Sequence, residues 1–303
     1  MTSRIASSVK NKQLVLHHWD APSPIGVVQI VHGMREHMGR YSNFAEYLCQ
    51  HGFSVCGHDQ LGHGLTAEQD GSYGYFGAKD GARALVRDAG RVTMSIQRRY
   101  PGLPIFLFGH SMGSFVGRLY ILQASDALSG FVCMGTSGLI PAAPYNRVFS
   151  EAMARLTGER RTSALLSRII GMHTARGGPK GVDKFATSGR DEVTASPYSS
   201  DRHTRHRFTN RGVCDLFDLL LASNNDSWAS SVDPELPVLL VSGGSDPVGN
   251  YGRDVVAIFE ELKKAKVRDV KCRLYDGARH DLLNEFNREE IYYDLLCWME
   301  DRL

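Results

Sequence analysis

Ser111 sits in Gly109-His110-Ser111-Met112-Gly113, a G-x-S-x-G pentapeptide. The short apolar run Pro104–Phe108 precedes it, and an apolar stretch, Phe115–Gln123, follows. A serine on a sharp strand-to-helix turn exposes its hydroxyl at the carboxyl edge of a sheet, where it can act as a nucleophile. Glycines on either side let the backbone cross itself at close range. The helix start beyond the serine supplies unpaired N–H groups for a developing oxyanion. A serine also needs a base, and the base an orienting acid. In this strand–turn–helix arrangement the chain order is serine, then acid, then histidine.

The acid should follow a later strand. Val238–Val241 leads through Ser242-Gly243-Gly244-Ser245 to Asp246. The histidine should follow the last strand, and Leu274–Arg279 leads to His280. Asp276 and Asp281 are too close to His280 along the chain to reach around its ring, and read as turn or capping groups. Asp233 precedes its strand and falls at the wrong end. A second oxyanion donor is expected after an early strand. In Ile30-Val31-His32-Gly33-Met34, Gly33 permits a tight turn and the Met34 amide would face the substrate oxygen; the Met112 amide is the other expected donor. His32, Glu36, His37 and His63 read as braces for these loops rather than metal ligands.

These residues require a particular frame. Apolar runs at Gln13–His17, Gly26–Val31, Phe53–Cys56, Pro104–Phe108, Leu128–Met134, Pro237–Val241 and Val270–Tyr275 read as strands. Helical patterns at Ser42–His51, Asp80–Tyr100, Phe115–Gln123, Val255–Lys266 and Glu289–Arg302 alternate with them. Such alternation predicts an α/β fold with a mostly parallel central sheet flanked by helices. Residues 140–233 break the rhythm with two amphipathic stretches, around Val148–Leu156 and Leu165–Ile170, and then a Gly-, Ser- and Arg-rich passage. Three parts are therefore expected: a first core part over 1–139, a helical cap or lid over 140–233, and a second core part over 234–303.

Several motifs resemble the monoacylglycerol lipase and lysophospholipase branch of the α/β-hydrolases. They are His32-Gly33-Met34-Arg35-Glu36-His37 with Arg40-Tyr41, Asp59-Gln60-Leu61-Gly62-His63-Gly64, Gly74-Tyr75-Phe76, Gly109–Gly113, Ser242–Gly249, and Gly277–Glu285. The resemblance covers Gly26 to Ser137 and Leu236 onward. It implies an α/β-hydrolase fold and an esterase acting on acylglycerols or related lipid esters without a cofactor. It carries over to Ser111, Asp246 and His280 as the triad, and to Met34 and Met112 as oxyanion donors. Gln60-Leu61 departs from the family's polar pair, and residues 196–211 are richer in His and Arg than the family pattern.

Composition narrows the alternatives. The chain has 303 residues, a formal net charge of +2 and 42% hydrophobic residues, which is ordinary globular material. A nucleic-acid partner would call for a clustered basic stripe with interleaved aromatics, and none is evident. The six cysteines form no C-x-x-C pair and read as reduced core thiols. The first twelve residues lack the apolar stretch of a signal peptide, so a cytoplasmic protein is expected. Residues 146–211 carry 13 Lys or Arg against 6 Asp or Glu, a local charge of +7 against −5 elsewhere. That fits either a solvated, salt-bridged surface or peripheral contact with an anionic lipid surface through the cap. Other hydrolytic chemistry on the same frame, against amide, peptide or carbon–carbon bonds, and a non-catalytic scaffold are the rival readings. Oligomeric state is not fixed by the sequence.

Overall fold

A computed structural model describes residues 1–174 and 201–303. Eight strands form one sheet: β1 (Thr2–Ala6), β2 (Gln13–Trp19), β3 (Gly26–Val31), β4 (Phe53–Asp59), β5 (Ile105–His110), β6 (Gly130–Met134), β7 (Val238–Gly243) and β8 (Val270–Tyr275). Their spatial order is β1-β2-β4-β3-β5-β6-β7-β8. The pairs β1–β2 and β2–β4 are antiparallel, and every other pair is parallel. The described α-helices are α1 (Ser42–Gln50), α2 (Gly64–Glu68), α3 (Gly81–Arg99), α4 (Met112–Ala124), α5 (Ala143–Thr157), α6 (Ala164–Thr174), α7 (Asn210–Ser223), α8 (Arg253–Lys264) and α9 (Arg288–Glu300).

The central strands are buried along their whole length. Helices cover both faces, so these strands read as continuous apolar runs rather than alternating ones. Val27, Val31, Leu107, Cys133 and Leu240 point to one face and pack with α3, α4 and α8. Val28, Ile30, Phe106, Phe108, Val132 and Val241 point to the other, against Phe44 and Leu48 of α1 and Ile291, Leu295 and Trp298 of α9. Each such side chain contributes about 1.5–3 kcal/mol on burial. The carboxyl ends of the parallel strands are thereby held at fixed spacing, and the loops leaving them become the natural place for a site.

Three elements go beyond the sequence expectation. Strand β1 is a polar, mostly exposed edge paired only with β2, so it has no apolar run to reveal it. Helix α4 starts directly after Ser111, earlier than its apolar run suggests. Helix α7 begins at the end of the His- and Arg-rich 196–211 passage and is not among the expected helices, although Val213, Phe217 and Leu220 keep a helical spacing and are buried. Thr209 caps it by accepting from the Gly212 amide. Helices α5, α6 and α7 all lie between β6 and β7. The central part of the basic 146–211 stretch, residues 175–200, lies outside the described residues. All six cysteines are free, and Cys56, Cys133 and Cys214 are buried. Burial pushes the Cys56 thiol up to about 12 and the Cys133 thiol up to about 11.

Candidate active site

Ser111 stands between β5 and α4 with φ 54° and ψ −119°, a backbone conformation that side-chain-bearing residues rarely adopt. Its neighbours show what holds it there. A Cβ at Gly109 would lie 2.6 Å from the Gly113 carbonyl oxygen, and one at Gly113 would lie 2.0 Å from that of Val31. The pentapeptide's glycines are therefore demanded by backbone packing, Gly109 within the turn and Gly113 against β3. The strain at Ser111 is held by the surrounding sheet and helix and aims its hydroxyl outward.

His280 lies in the loop after β8, and its Nε2 is 2.8 Å from Ser111 Oγ. Its Nδ1 is 2.8 Å from Asp246 Oδ2. Asp246 is fully buried in the loop after β7. Ser242 Oγ donates to its Oδ2 over 3.2 Å, and the Val248 amide donates to its Oδ1 over 2.8 Å. The carboxylate is thus fixed on both oxygens. Residues 111, 246 and 280, far apart in sequence, meet in one hydrogen-bonded line. Asp281 instead bonds Arg40 and Asn284, and Asp233 caps the Glu235 amide, as their chain positions suggested.

Met34 and Met112 line the same cavity as Ser111. Neither backbone N–H donates to another protein group among the described residues. The cavity wall is otherwise apolar, with Phe115, Ile140, Ile170, Leu216, Phe217, Leu220 and Val248, plus Ser137 and Thr174. Five of these residues come from α6 and α7. The apolar pairs of α6 divide their work: Ile170 faces the cavity, Leu166 is buried in the core, and Leu165 is exposed.

The surrounding motif residues act through hydrogen bonds, as expected for His32, Glu36, His37 and His63. Asp59 accepts from the Met38 and Leu65 amides at 2.8 Å each and from His17 at 3.1 Å. Burial opposes its charge, but these partners hold the carboxyl well below the usual range. Gln60 donates to the His32 carbonyl over 2.6 Å, while Leu61 packs in the core, so the departing pair is structural. His37 pairs with Asp201 at 2.6 Å, and the His63 ring packs against His206 and Phe208. Gly74 accepts from the Thr209 amide and hydroxyl, tying the core to the start of α7. No group of three or more His, Cys, Asp or Glu among the described residues is arranged to hold a metal.

Two features escaped the sequence reading. Arg118 of α4 is buried, donates to the Ser137 and Ser223 carbonyls and to Asn224, and lies 4.1 Å over the Trp228 ring. It clamps the end of α7 to α4. The second is the role of His110, which the pentapeptide treats as a variable position. Nothing local in the sequence marks either one, because their partners are distant along the chain.

Comparison with known proteins accords with this arrangement. The family described as Hydrolase_4, serine aminopeptidase S33, matches residues 22–287. A monoglyceride lipase homolog of Monkeypox virus is 26% identical over the whole of both chains. Human monoglyceride lipase is 26% identical, over 92% of this chain and 84% of the human one. A thermostable carboxyl esterase from Bacillus coagulans superposes with a TM-score of 0.93 at 26% identity, over 100% of this chain and 98% of the esterase. Monoglyceride lipase from Saccharomyces cerevisiae, at 17% identity and a TM-score of 0.76, shares the fold. With its mostly parallel sheet, its serine at a strand-to-helix turn and a family match spanning most of its length, this chain belongs to the Hydrolase_4 (serine aminopeptidase, S33) family and has the α/β-hydrolase fold.

Proposed function

We propose that the protein hydrolyses carboxylic esters of monoacylglycerol or lysophospholipid type through a Ser111–His280–Asp246 triad. The observation that carries this reading is the continuous hydrogen-bonded line from Asp246 through His280 to Ser111, opening on an apolar cavity. Ser111 Oγ attacks the ester carbonyl as His280 Nε2 accepts its proton. Asp246 holds the imidazole in the tautomer with Nδ1 protonated and stabilises the imidazolium. The Met34 and Met112 amides donate to the tetrahedral oxyanion. Collapse breaks the C–O bond, and His280 returns the proton to the departing alcohol. Water then attacks the acyl-enzyme by the same proton route and releases the carboxylic acid.

A single acyl chain suits the cavity, whose walls are aliphatic and aromatic. The names of the human, viral and yeast relatives point the same way. The family's description as an aminopeptidase supports a second reading, amide-bond cleavage. Recognition of a free α-amino group would call for a carboxylate facing the cavity, and its described lining includes none. Residues 140–233 are proposed as a cap, a reading supported by the α6 and α7 residues that line the cavity beside Ser111.

The cap is also proposed to rest on a lipid surface. Tyr145, Val148 and Leu156 of α5 are 78%, 70% and 84% exposed, and Leu165 and Met172 of α6 also face outward. No described helix is long and apolar enough to cross a membrane, so this contact is peripheral.

The test of the chemistry is Ser111→Ala protein assayed on monoacylglycerols, lysophospholipids, short esters and aminoacyl anilides. Turnover of the esters is expected to fall by about four orders of magnitude or more. A fluorophosphonate should add its mass at Ser111 in the parent and nowhere in the variant. Undiminished turnover in Ser111→Ala ends the mechanism, and anilide hydrolysis outpacing ester hydrolysis ends the substrate class.

A further inference from the structure

We infer that Glu36, acting through His110 and Arg40, is the positioning residue that holds the oxyanion loop, the nucleophile turn and the histidine loop in mutual register. This rests on the triad reading above and concerns residues that never touch the substrate.

Glu36 is buried in the loop after β3. Its Oε1 accepts from the Gly33 amide, from the Tyr41 hydroxyl over 2.8 Å and from His110 Nδ1 over 2.9 Å. Its Oε2 accepts from Arg40 Nε over 3.3 Å. Each bond reaches a different part of the site. The Gly33 amide is turned toward Glu36, and the next residue, Met34, lines the cavity. His110 is the residue before Ser111. Arg40 also pairs with Asp281, the residue after His280.

His110 closes the circuit. Its Nε2 is 3.3 Å from the His280 carbonyl oxygen, and the two rings are 5.0 Å apart. Glu36 on one ring nitrogen and a carbonyl on the other favour the ring with both nitrogens protonated, and the Tyr41 hydroxyl lies 3.1 Å from Nδ1 beside them. The titratable groups that face it are Glu36, Arg40 and Tyr41 from the loop after β3, and His280 and Asp281 from the final loop. In the loop after β6, a Cβ at Gly135 would meet His280 at 3.0 Å and His110 at 3.4 Å. Burial opposes the charge on His110, but Glu36, Asp281 and the His280 carbonyl outweigh it and raise the ring's pKa. Glu36 is correspondingly held well below the usual carboxylate range, against the effect of its own burial.

Space is tight enough to make the arrangement specific. A Cβ at Gly33 would lie 2.6 Å from Glu36 Oε1, 3.0 Å from Ser111 Cβ and 3.3 Å from His110 Nδ1. One buried carboxylate therefore sets three loops that leave three different strands. Displacing such loops by an ångström suffices to lower turnover about a hundredfold.

The experiment combines kinetics with ring-nitrogen NMR on full-length protein labelled with 15N-histidine. In the parent, the His110 ring should titrate above the ordinary histidine value of about 6.5; loss of the signals in His110→Asn assigns them. Glu36→Gln, nearly isosteric, should make the ring titrate lower. It should reduce kcat by about 10- to 100-fold with KM within about 3-fold. His110→Asn should show the same split, and the double variant should be no slower than the worse single one. A His110 ring that titrates at or below about 6.5 in the parent, or kcat within about 3-fold of parental in Glu36→Gln, overturns the inference. If Glu36→Gln fails to fold, the parental titration and the His110→Asn kinetics decide. Ser111→Ala is run alongside: if it stays active the triad reading fails, whereas an inactive Ser111→Ala with a parental Glu36→Gln sinks only the role of Glu36.

Discussion

Asp246 shows how much of a site depends on one oxygen atom. Its Oδ2 receives both His280 and Ser242, and its Oδ1 receives the Val248 amide. Asparagine would fit this buried space, but it can present only one acceptor oxygen. With its amide group toward His280, the ring must place its proton on Nε2, where it can no longer accept from Ser111. We expect Asp246→Asn to lower kcat by about 10⁴ while thermal unfolding stays close to parental. Activity within tenfold of parental would remove Asp246 from the proton route. At this scale the sequence was informative wherever a role is tied to a local pattern. Ser111 follows a strand and precedes a helix, and Asp246 and His280 each follow a strand. Glu36 was recognised as a brace, but its partner His110 lies 74 residues away, and no periodicity or spacing connects them.

Elements were legible in proportion to how apolar and how local they are. The central strands stand out because both faces are covered. The edge strand β1 pairs with no strand but β2, and polar residues serve there as well as apolar ones. The docking of residues 201–209 onto the loop after β4 was also hidden, since it is made by histidines. His206 packs beside His63, Tyr73 and Phe208, and its Nδ1 donates to the His203 carbonyl over 2.9 Å. Burial, with Arg35 and the neighbouring histidines, lowers the His206 pKa to about 4. Burial also holds His63 well below its ordinary value, with His32 and His206 adding to the effect. The folded protein thus favours neutral rings, whereas the unfolded chain takes up protons near pH 6.5. Stability from this contact is complete above about pH 6.5 and is lost as the pH falls toward 4. We expect His206→Phe, which keeps the ring stacking, to flatten the decline in urea-unfolding free energy between about pH 6.5 and 4.5. An unchanged pH slope in that variant would show that the junction does not titrate as a buried neutral cluster.

For the molecule as a whole, the question is how the proposed single-chain lipid would reach Ser111 in a cavity lined by α6 and α7. The overall charge is small, and the excess of basic residues between 146 and 211 suggested attraction to anionic lipid. In the described part of that stretch, several arginines are paired with acids. Arg147, Arg155 and Arg211 share Glu151, with Asp215 and Asp218 adding further pairs. Paired arginines offer little net field, whereas Tyr145, Val148 and Leu156 offer apolar surface on one exposed helix, α5. The proposed lipid contact should therefore have a modest electrostatic part and a larger apolar one. Co-sedimentation should show several-fold stronger binding to anionic than to neutral vesicles at low salt. The difference should vanish at about 0.5 M salt, where charges more than a few ångströms apart are screened, while binding itself persists. Tyr145→Ser/Leu156→Ser should remove the persistent part. It should slow hydrolysis of vesicle-borne monoacylglycerol several-fold and leave a dissolved short ester unaffected, because neither side chain lines the cavity. Equal losses on both substrates would place these residues in cap folding instead. Absence of binding to either vesicle would mean that substrate arrives from solution, and that the exposed face of α5 serves some end other than docking on lipid.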